Sequence, residues 1–511
     1  MVSFRLSRRE IRRIFALTAL FFFAAYGSRF VTLGFSHDSL QIAQSTNLRF
    51  QLSLGRFAQP LYWLIRGDIV MPYVIGLLSF AFLSASICLC CSLLAIRSTL
   101  GAACVCMALC CNATLSISSA TFIPWLDVYM LAFLLSSLSV YLCERTRRGF
   151  LAAPLLLCLS LGLYQSYLQT AILLFLMLLI HHALDGKPLP ALIADGFKAV
   201  FVLLAGLLLY MLASKLSLRV MNVEVANTYN SIARVGDLSG TPILPLLAQT
   251  YLTPFAYLFA PETTFPKLTT AATLAAFALG LPALVILLYR QKKRLNRLFV
   301  LLMLLFVPLG ANAVSFISGG MTHVLMIYSY FFVLLLPLSL IERRVCESVS
   351  PPRRKIGTCA VLLSFFLLYA GNAAFSHQLM LRRNLEYEST LSLLTRVLER
   401  ADSTEGYEPG VTPVVFEGAL FNSPLAMQRP GFDRTSTFFG SDNLYAISTE
   451  YYAPYYIRQI LGHSMNVDDS LIWSYGNRED VRRLPVYPAE GSIQMIDGVL
   501  VIHLGRQQLG E

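Results

Sequence analysis

The sequence predicts an α-helical polytopic membrane protein of about eleven transmembrane helices, followed by a small C-terminal extracytoplasmic α/β domain. Three observations predict it. Of 511 residues, 56% are hydrophobic and 14% charged, with a mean hydropathy of +0.62, whereas a water-soluble chain needs roughly 25% charged residues to cover its surface. Apolar runs of about 17 to 25 residues, the length that spans a bilayer as helix, recur from Ile14 to Ala374. Charge then divides the chain: residues 1–374 hold 29 Lys/Arg against 12 Asp/Glu, and residues 375–511 hold 11 against 17. The first part is read as a transmembrane domain and the second as an extracytoplasmic domain. A net charge of +11 does not point to nucleic acid, because no soluble basic face or base-stacking module carries it.

The helices follow in order. Ile14–Gly34 comes after Arg5, Arg8, Arg9, Arg12 and Arg13; its basic flank resembles a signal peptide, but no small-residue cleavage site follows, so it reads as a retained span. The next spans are expected at 72–95, 101–118, 125–143, 150–166, 168–183 and 198–214, then at 268–290, 298–316, 325–341 and 356–374. Basic residues test this threading. The loops on the N-terminal side, from the leading arginines to Glu342–Lys355, carry 21 Lys/Arg, against seven in the opposing loops. Cytoplasmic loops hold the excess of Lys and Arg, so the N-terminus is expected inside and the C-terminus outside. Thr241–Pro261 is apolar but carries four prolines. Counting it as a span would reverse every later loop, so it is expected to be interfacial or re-entrant on the outer face, where broken backbone is tolerated inside protein.

The outer face holds the loops 35–71 and 215–267 and the tail. In the tail, Leu381, Leu385, Leu391, Leu394 and Leu398 recur at helical spacing over His377–Arg400. Pro413–Phe416 and Gly498–Leu504 read as strands, with Ile496-Asp497-Gly498 supplying the turn before the last. The eleven cysteines all lie in or beside apolar runs; they read as small apolar packing residues, and no disulfide framework is implied. His181-His182 has no Glu-x-x-His pattern and no carboxylate partner in the sequence, so it offers no metal set. There is no Walker loop, dinucleotide fingerprint or Gly-x-Ser-x-Gly elbow. A sugar donor would therefore have to arrive already attached to lipid.

Polar groups where the membrane meets the outer solution are the candidates for chemistry, because charge there is costly unless it binds something. Asp38 lies four residues past the first span. As a carboxylate it could take a proton from an attacking sugar hydroxyl, or it could cap a short helix. Arg56 could hold a phosphate with its guanidinium fork, or snorkel to headgroups. Asp127, in Pro124-Trp-Leu-Asp-Val-Tyr129, could face sugar or acceptor, or simply answer the dipole at a helix start. Tyr164 and Gln165, in a tight outer turn, could bind sugar hydroxyls or satisfy helix ends. Asn312 and His323 flank another outer turn, where the histidine could contact phosphate or be structural. Arg382 and Arg383 follow the last span, within reach of an anionic lipid head.

His37-Asp-Ser39, Leu54-Gly-Arg-Phe57, Pro60-Leu-Tyr62, Asp127-Val-Tyr129 and Gly162-Leu-Tyr-Gln-Ser166 together resemble the bacterial glucosyltransferase II family, which includes the phage-type serotype-converting O-antigen glucosyltransferases. The resemblance runs from the first span through the sixth and more loosely to the strand Val414-Val-Phe416. It implies a GT-C membrane glycosyltransferase of the bacterial cytoplasmic membrane that uses a polyprenyl-phosphate sugar on the outer leaflet. The family often has two adjacent acids in the first loop; here His37 takes the first place and Asp38 the second. Carried over, Asp38 is the general base, Arg56 a donor-phosphate or positioning residue, and Asp127, Tyr164 and Gln165 line the cavity.

The expected reaction is transfer of a hexose, glucose by the family's usual donor, to a cell-surface polysaccharide or glycopolymer with inversion. Arg56, with His323 or Arg382, would hold the donor phosphate, while His37 and Asn312 would join the cavity. A phosphate paired with guanidinium is a competent leaving group, so no metal or other cofactor is expected. Expected partners are the lipid-linked donor, the acceptor, membrane lipid, and by family analogy a lipid-sugar synthase and a flippase. The rival readings are a lipid-linked-sugar flippase or transporter and a non-catalytic envelope-polysaccharide assembly protein. The absence of an internal repeat and the placement of polar residues at the outer boundary weaken the transporter reading.

Overall fold

The computed structural model describes residues 6–32, 39, 48–226, 242–261, 263–345, 351–418 and 453–505; of residues 344, 345, 351–356, 386 and 469 it describes the backbone alone. Two compact units are present. One comprises 1–31, 47–119 and 125–377, and the other 32–46, 120–124 and 378–511.

The first unit is helical throughout. It contains α1 (Arg8–Val31), α2 (Leu48–Ser53), α3 (Ala58–Arg66), α4 (Pro72–Leu93), α5 (Thr99–Cys110), α6 (Ala113–Ala120), α7 (Leu126–Arg145), α8 (Gly149–Leu163), α9 (Leu168–Leu184) and α10 (Leu189–Val220). It continues with α11 (Ile243–Phe259), α12 (Pro266–Arg290), α13 (Arg294–Ala311), α14 (Ala313–Ile317), α15 (Tyr328–Phe332) and α16 (Leu335–Val345), and ends in the first half of α17 (Pro351–Asp402). Among the described residues, nine helices are long and apolar enough to cross a membrane, and α5 with α6 makes a tenth, bent by 49°. The protein is a multi-pass membrane protein.

Each of the eleven expected spans meets helix, but four are interrupted or short. The expected span 298–316 covers α13 and α14 with a break at Asn312, and 325–341 covers α15 and α16 with a turn at Val333-Leu334. The expected span 101–118 is broken at Cys111-Asn112, where the Asn112 side chain accepts the Leu115 amide at 3.1 Å and starts a second helix. The expected span 150–166 is α8, only 15 residues long with Pro154 inside it. The proline-rich stretch Thr241–Pro261 forms α11, a 17-residue apolar helix that carries Pro254.

Small residues and hydroxyls let these helices approach closely. Ser139 on α7 donates to the Ala153 carbonyl and Ser160 on α8 to the Ala132 carbonyl, at 2.8 and 2.7 Å. Ser136 bonds Thr170 of α9 at 2.9 Å. At the other end of α9, the carbonyls of Ala183 and Leu184 are taken by Gln291 and that of Ala183 also by Asn296. There the sequence reading is corrected: His182 has two carboxylate partners, Glu144 on Nε2 at 3.1 Å and Asp195 on Nδ1 at 2.9 Å. The carboxylates come from α7 and from the next helix, α10, with Asp195 13 residues from His182, so no local motif revealed the contact. The carboxylates approach opposite ring nitrogens and so tie α7, α9 and α10 together.

The second unit takes the rest of α17, which runs 52 residues without a break, so the expected last span and the expected tail helix are one element. A four-stranded sheet follows, built from β1 (Pro413–Gly418), β2 (Asn466–Val467), β3 (Ile493–Ile496) and β4 (Val499–Gly505) in the order β2-β1-β4-β3. β1 is parallel to both neighbours, with Val414 opposite Leu500, and β3–β4 is an antiparallel hairpin. The expected turn holds: Asp497 and Gly498 both have positive φ, 51° and 77°, as a two-residue hairpin requires. Side chains alternate between two cores. Val414, Phe416, Leu500 and Ile502 pack against Leu394, Val397 and Ala401 of α17. Val415, Val499 and Val501 pack on Tyr475 and Val481, from the short helices α19 (Ile472–Gly476) and α20 (Glu479–Arg482), which follow α18 (Ala453–Tyr456).

Candidate functional site

The motif segments that lie far apart in sequence meet in the first unit. α2 ends at Gly55, whose φ of 77° is the left-handed conformation that glycine adopts without penalty. The amides of Gly55 and Arg56 then return to the carbonyls of Leu52 and Gln51, at 2.8 and 2.9 Å, the bond pattern of a Schellman turn. The next residue, Phe57, lays its ring on Gly162 of α8. A methyl group at position 162 would stand 2.6 Å from that ring, so the contact exists only because the residue is glycine. Gln165 donates to the Leu54 carbonyl and to the Tyr210 hydroxyl, both at 2.9 Å. Gln59 donates to the Leu163 carbonyl at 2.7 Å.

α3 has its faces reversed relative to a helix in water. Gln59, Tyr62, Trp63 and Arg66, at helical spacing, are buried, while Leu61, Leu64 and Ile65 on the other side are 56, 85 and 87% exposed. An apolar outer face with a polar inner one is what a lipid environment selects. The inner face closes on Asp127. Tyr62 donates to its Oδ2 at 2.9 Å, Arg66 Nε lies 3.3 Å from the same oxygen, and the Val128 amide donates to Oδ1 at 3.0 Å. Trp63 packs at a tilt against Trp125, ring centroids 5.1 Å apart. Asp127 is wholly buried, and its charge is met by a guanidinium, a phenol and a helix N-terminus.

Arg56 is in the opposite condition. Its guanidinium lies over the Tyr164 ring at 5.1 Å, and that ring packs on Tyr129 at 4.5 Å. Among the described residues the guanidinium makes one hydrogen bond, to Gln51 Oε1 at 3.3 Å, and its buried Nε has no partner. Among the described residues no carboxylate lies within ion-pairing distance of it. His323 is near enough for the two to interact. Burial, with the Arg56 charge adding to it, lowers the His323 imidazole to about 4. The ring is therefore neutral at pH 7. Its Nδ1 accepts the Leu325 amide at 3.2 Å, which leaves the proton on Nε2 as a donor.

The other expected site residues fall elsewhere. Asn312 is engaged on both sides of its amide, donating to the Thr250 carbonyl at 3.1 Å and accepting the Tyr330 hydroxyl at 2.6 Å. Arg382 is buried in the second unit beside Arg383, which donates to Thr121 Oγ1 at 2.8 Å. His37 and Asp38 lie outside the described residues. Sequence reasoning missed Gln59, Trp63 and Arg66 as inward groups and Tyr210 as the partner of Gln165. The signal for the first three was present: a polar stripe at 59, 62, 63 and 66 opposite Leu61, Leu64 and Ile65.

This arrangement is an electropositive, aromatic-floored cradle at Arg56, supported by a self-neutralised pair at Asp127. Neither a curated protein nor a solved structure matches the chain. The model of one protein family, described as glucosyl transferase GtrII, matches residues 28–335, which include every residue of the cradle.

Proposed function

The chain belongs to the glucosyl transferase GtrII family, and from that premise we propose that it moves a hexose, glucose by family precedent, from a polyprenyl-phosphate donor to a cell-surface glycopolymer. In this reading the enzyme has a GT-C architecture and sits in the bacterial cytoplasmic membrane, with its N-terminus in the cytoplasm and its tail outside. The observation that carries the reading is Arg56. A guanidinium with a buried unbonded Nε, an aromatic floor and no carboxylate among its described neighbours is suited to an anion, and its fork matches phosphate oxygens. His323 Nε2–H is a second donor to the same group.

The chemistry then needs one base. The acceptor hydroxyl attacks the anomeric carbon in line with the departing phosphate oxygen. The carbon–oxygen bond to phosphate breaks, its electron pair leaves with polyprenyl phosphate, and the hydroxyl proton passes to the Asp38 carboxylate. Configuration inverts. Arg56 stabilises the charge that grows on the phosphate as the bond breaks, which is the electrostatic term that dominates such reactions. Tyr164 and Gln165 are used by Arg56, Leu54 and Tyr210, so their part is to hold the cradle's shape, and Asp127 acts through Arg66 and Tyr62 in the same way.

The test is release of polyprenyl phosphate from synthetic polyprenyl-phosphate sugars by the full chain in nanodiscs, with an acceptor present. Release by wild type and not by Asp38→Asn supports the reading. Equal release by both removes Asp38 as base, and movement of intact donor across a bilayer without release makes the protein a flippase.

A further inference from the structure

Of the three tryptophans, Trp63 and Trp125 are buried against each other in the first unit, and Trp473 in the second is 76% exposed. An indole left in water is the informative case, because large aromatic rings bury most of their surface wherever they can. The exposure is not the result of a loose segment. On either side of Trp473, Leu471, Ile472 and Tyr475 pack onto the sheet face formed by Val415, Val499 and Val501. The Tyr475 hydroxyl donates to the Ile496 carbonyl at 3.4 Å, and Asn477 Nδ2 returns to the Trp473 carbonyl at 3.0 Å. Arg478 stacks on the Tyr475 ring at 5.0 Å and pairs with Asp497 of the hairpin turn at 2.6 Å. The ring is thus presented outward by a rigid corner.

The surroundings choose the partner. The rim is polar and its arginines are held: Arg478 by Asp480 and Asp497, Arg483 by Glu479, and Arg482 by the Gly476 carbonyl and Asn477 Oδ1. Residues 375–511 carry 17 acidic against 11 basic residues. Such a surface repels anionic lipid headgroups, which polybasic patches attract. A flat apolar ring framed by hydrogen-bonding amide and carboxylate groups matches the two faces of a pyranose, C–H on one side and hydroxyls at the edge.

We propose that Trp473 is a stacking platform for the saccharide chain of the acceptor, binding sugar units of the glycopolymer by ring contact and edge hydrogen bonds. This rests on the reading above only in that the partner is the acceptor. The probe is oligosaccharide released by mild acid from the producing cell's envelope polysaccharide and fractionated by length. Its binding to the full chain in nanodiscs is read by isothermal titration calorimetry with no donor present, for wild type, Trp473→Ala and Trp473→Phe, with tryptophan fluorescence recorded for wild type as well. We expect wild type to be quenched and the affinity to fall about tenfold or more in Trp473→Ala, as truncation of a central aromatic contact does. Trp473→Phe should retain most of it, and donor KM should not change in either variant. Equal affinity in wild type and Trp473→Ala overturns the proposal. So does a fluorescence blue shift on adding mixed phosphatidylethanolamine and phosphatidylglycerol vesicles with no response to saccharide, which would make Trp473 a membrane anchor. Because binding is read without donor, failure of every lipid donor would count against the proposed reaction and leave this result intact.

Discussion

Arg56 and Asp127 are both charged residues in apolar surroundings, and they call for opposite phenotypes. Arg56 has no charged partner among the described residues, so removing it leaves no described carboxylate unpaired. Arg56→Gln is expected to fold normally and to raise the donor KM about 10- to 100-fold, the worth of one charge-assisted hydrogen bond at about 1.5–3 kcal/mol. Arg56→Lys should recover part of the loss, and donor titration of the release assay checks both. Asp127 is the reverse. Asp127→Asn removes the carboxylate that the buried Arg66 guanidinium faces at 3.3 Å, a change that costs about 3–5 kcal/mol in comparable pairs. The fall in thermal stability in detergent should be smaller in the Asp127→Asn/Arg66→Gln double variant than the two single effects added. His323 adds a pH dependence. Its folded value of about 4 lies below the ordinary 6.5, so between those values the unfolded chain binds the extra proton. Stability from this group is complete above about pH 6.5 and declines as pH falls toward 4. His323→Gln should remove that decline from a melting-temperature series over the same range.

At the scale of elements, the site is an interlock of two motif segments, Leu54–Tyr62 and Gly162–Ser166, closed by Phe57 on Gly162. Gly162→Ala should separate them. Overpacking of this kind costs about 1–3 kcal/mol, and turnover should fall together with melting temperature, while a Phe57→Leu/Gly162→Ala pair recovers some of both. These segments were legible in the sequence as separate motifs, since glycine, glutamine and tyrosine in outer turns are conspicuous between apolar runs. Their mutual contact was not, because hydropathy carries no information about which turn meets which. Arg66 illustrates the limit. In the sequence it was one more outer-loop cation, and only the fold brings it to Asp127, 61 residues later. His182 failed for the same reason, with partners supplied by α7 and α10. The helices themselves were legible because each apolar run is long enough to need a membrane. The exception is α17, where Arg382 and Arg383 lower the hydropathy and suggest an end, although leucines at helical spacing continue through Leu398.

For the whole molecule, the excess of Lys and Arg on one set of loops gives a topology that reporters can read. Alkaline phosphatase joined after residue 505 is expected to be active and a fluorescent reporter there dark; the opposite pattern would invert the proposed orientation. One helix also affects the bilayer around it. α8 has 15 residues, about 22 Å of helix at 1.5 Å per residue, against a hydrocarbon core of about 30 Å. Its outer residues Leu151 and Leu155 are exposed, so lipid meets this short element directly. Hydrophobic mismatch of that size is relieved by local thinning of the leaflets. α8 leads directly into Tyr164, the floor of the Arg56 cradle, so in the proposed reaction the dimple falls where the lipid-borne phosphate reaches the guanidinium. Turnover should therefore depend on acyl chain length, faster in thin bilayers than in thick ones.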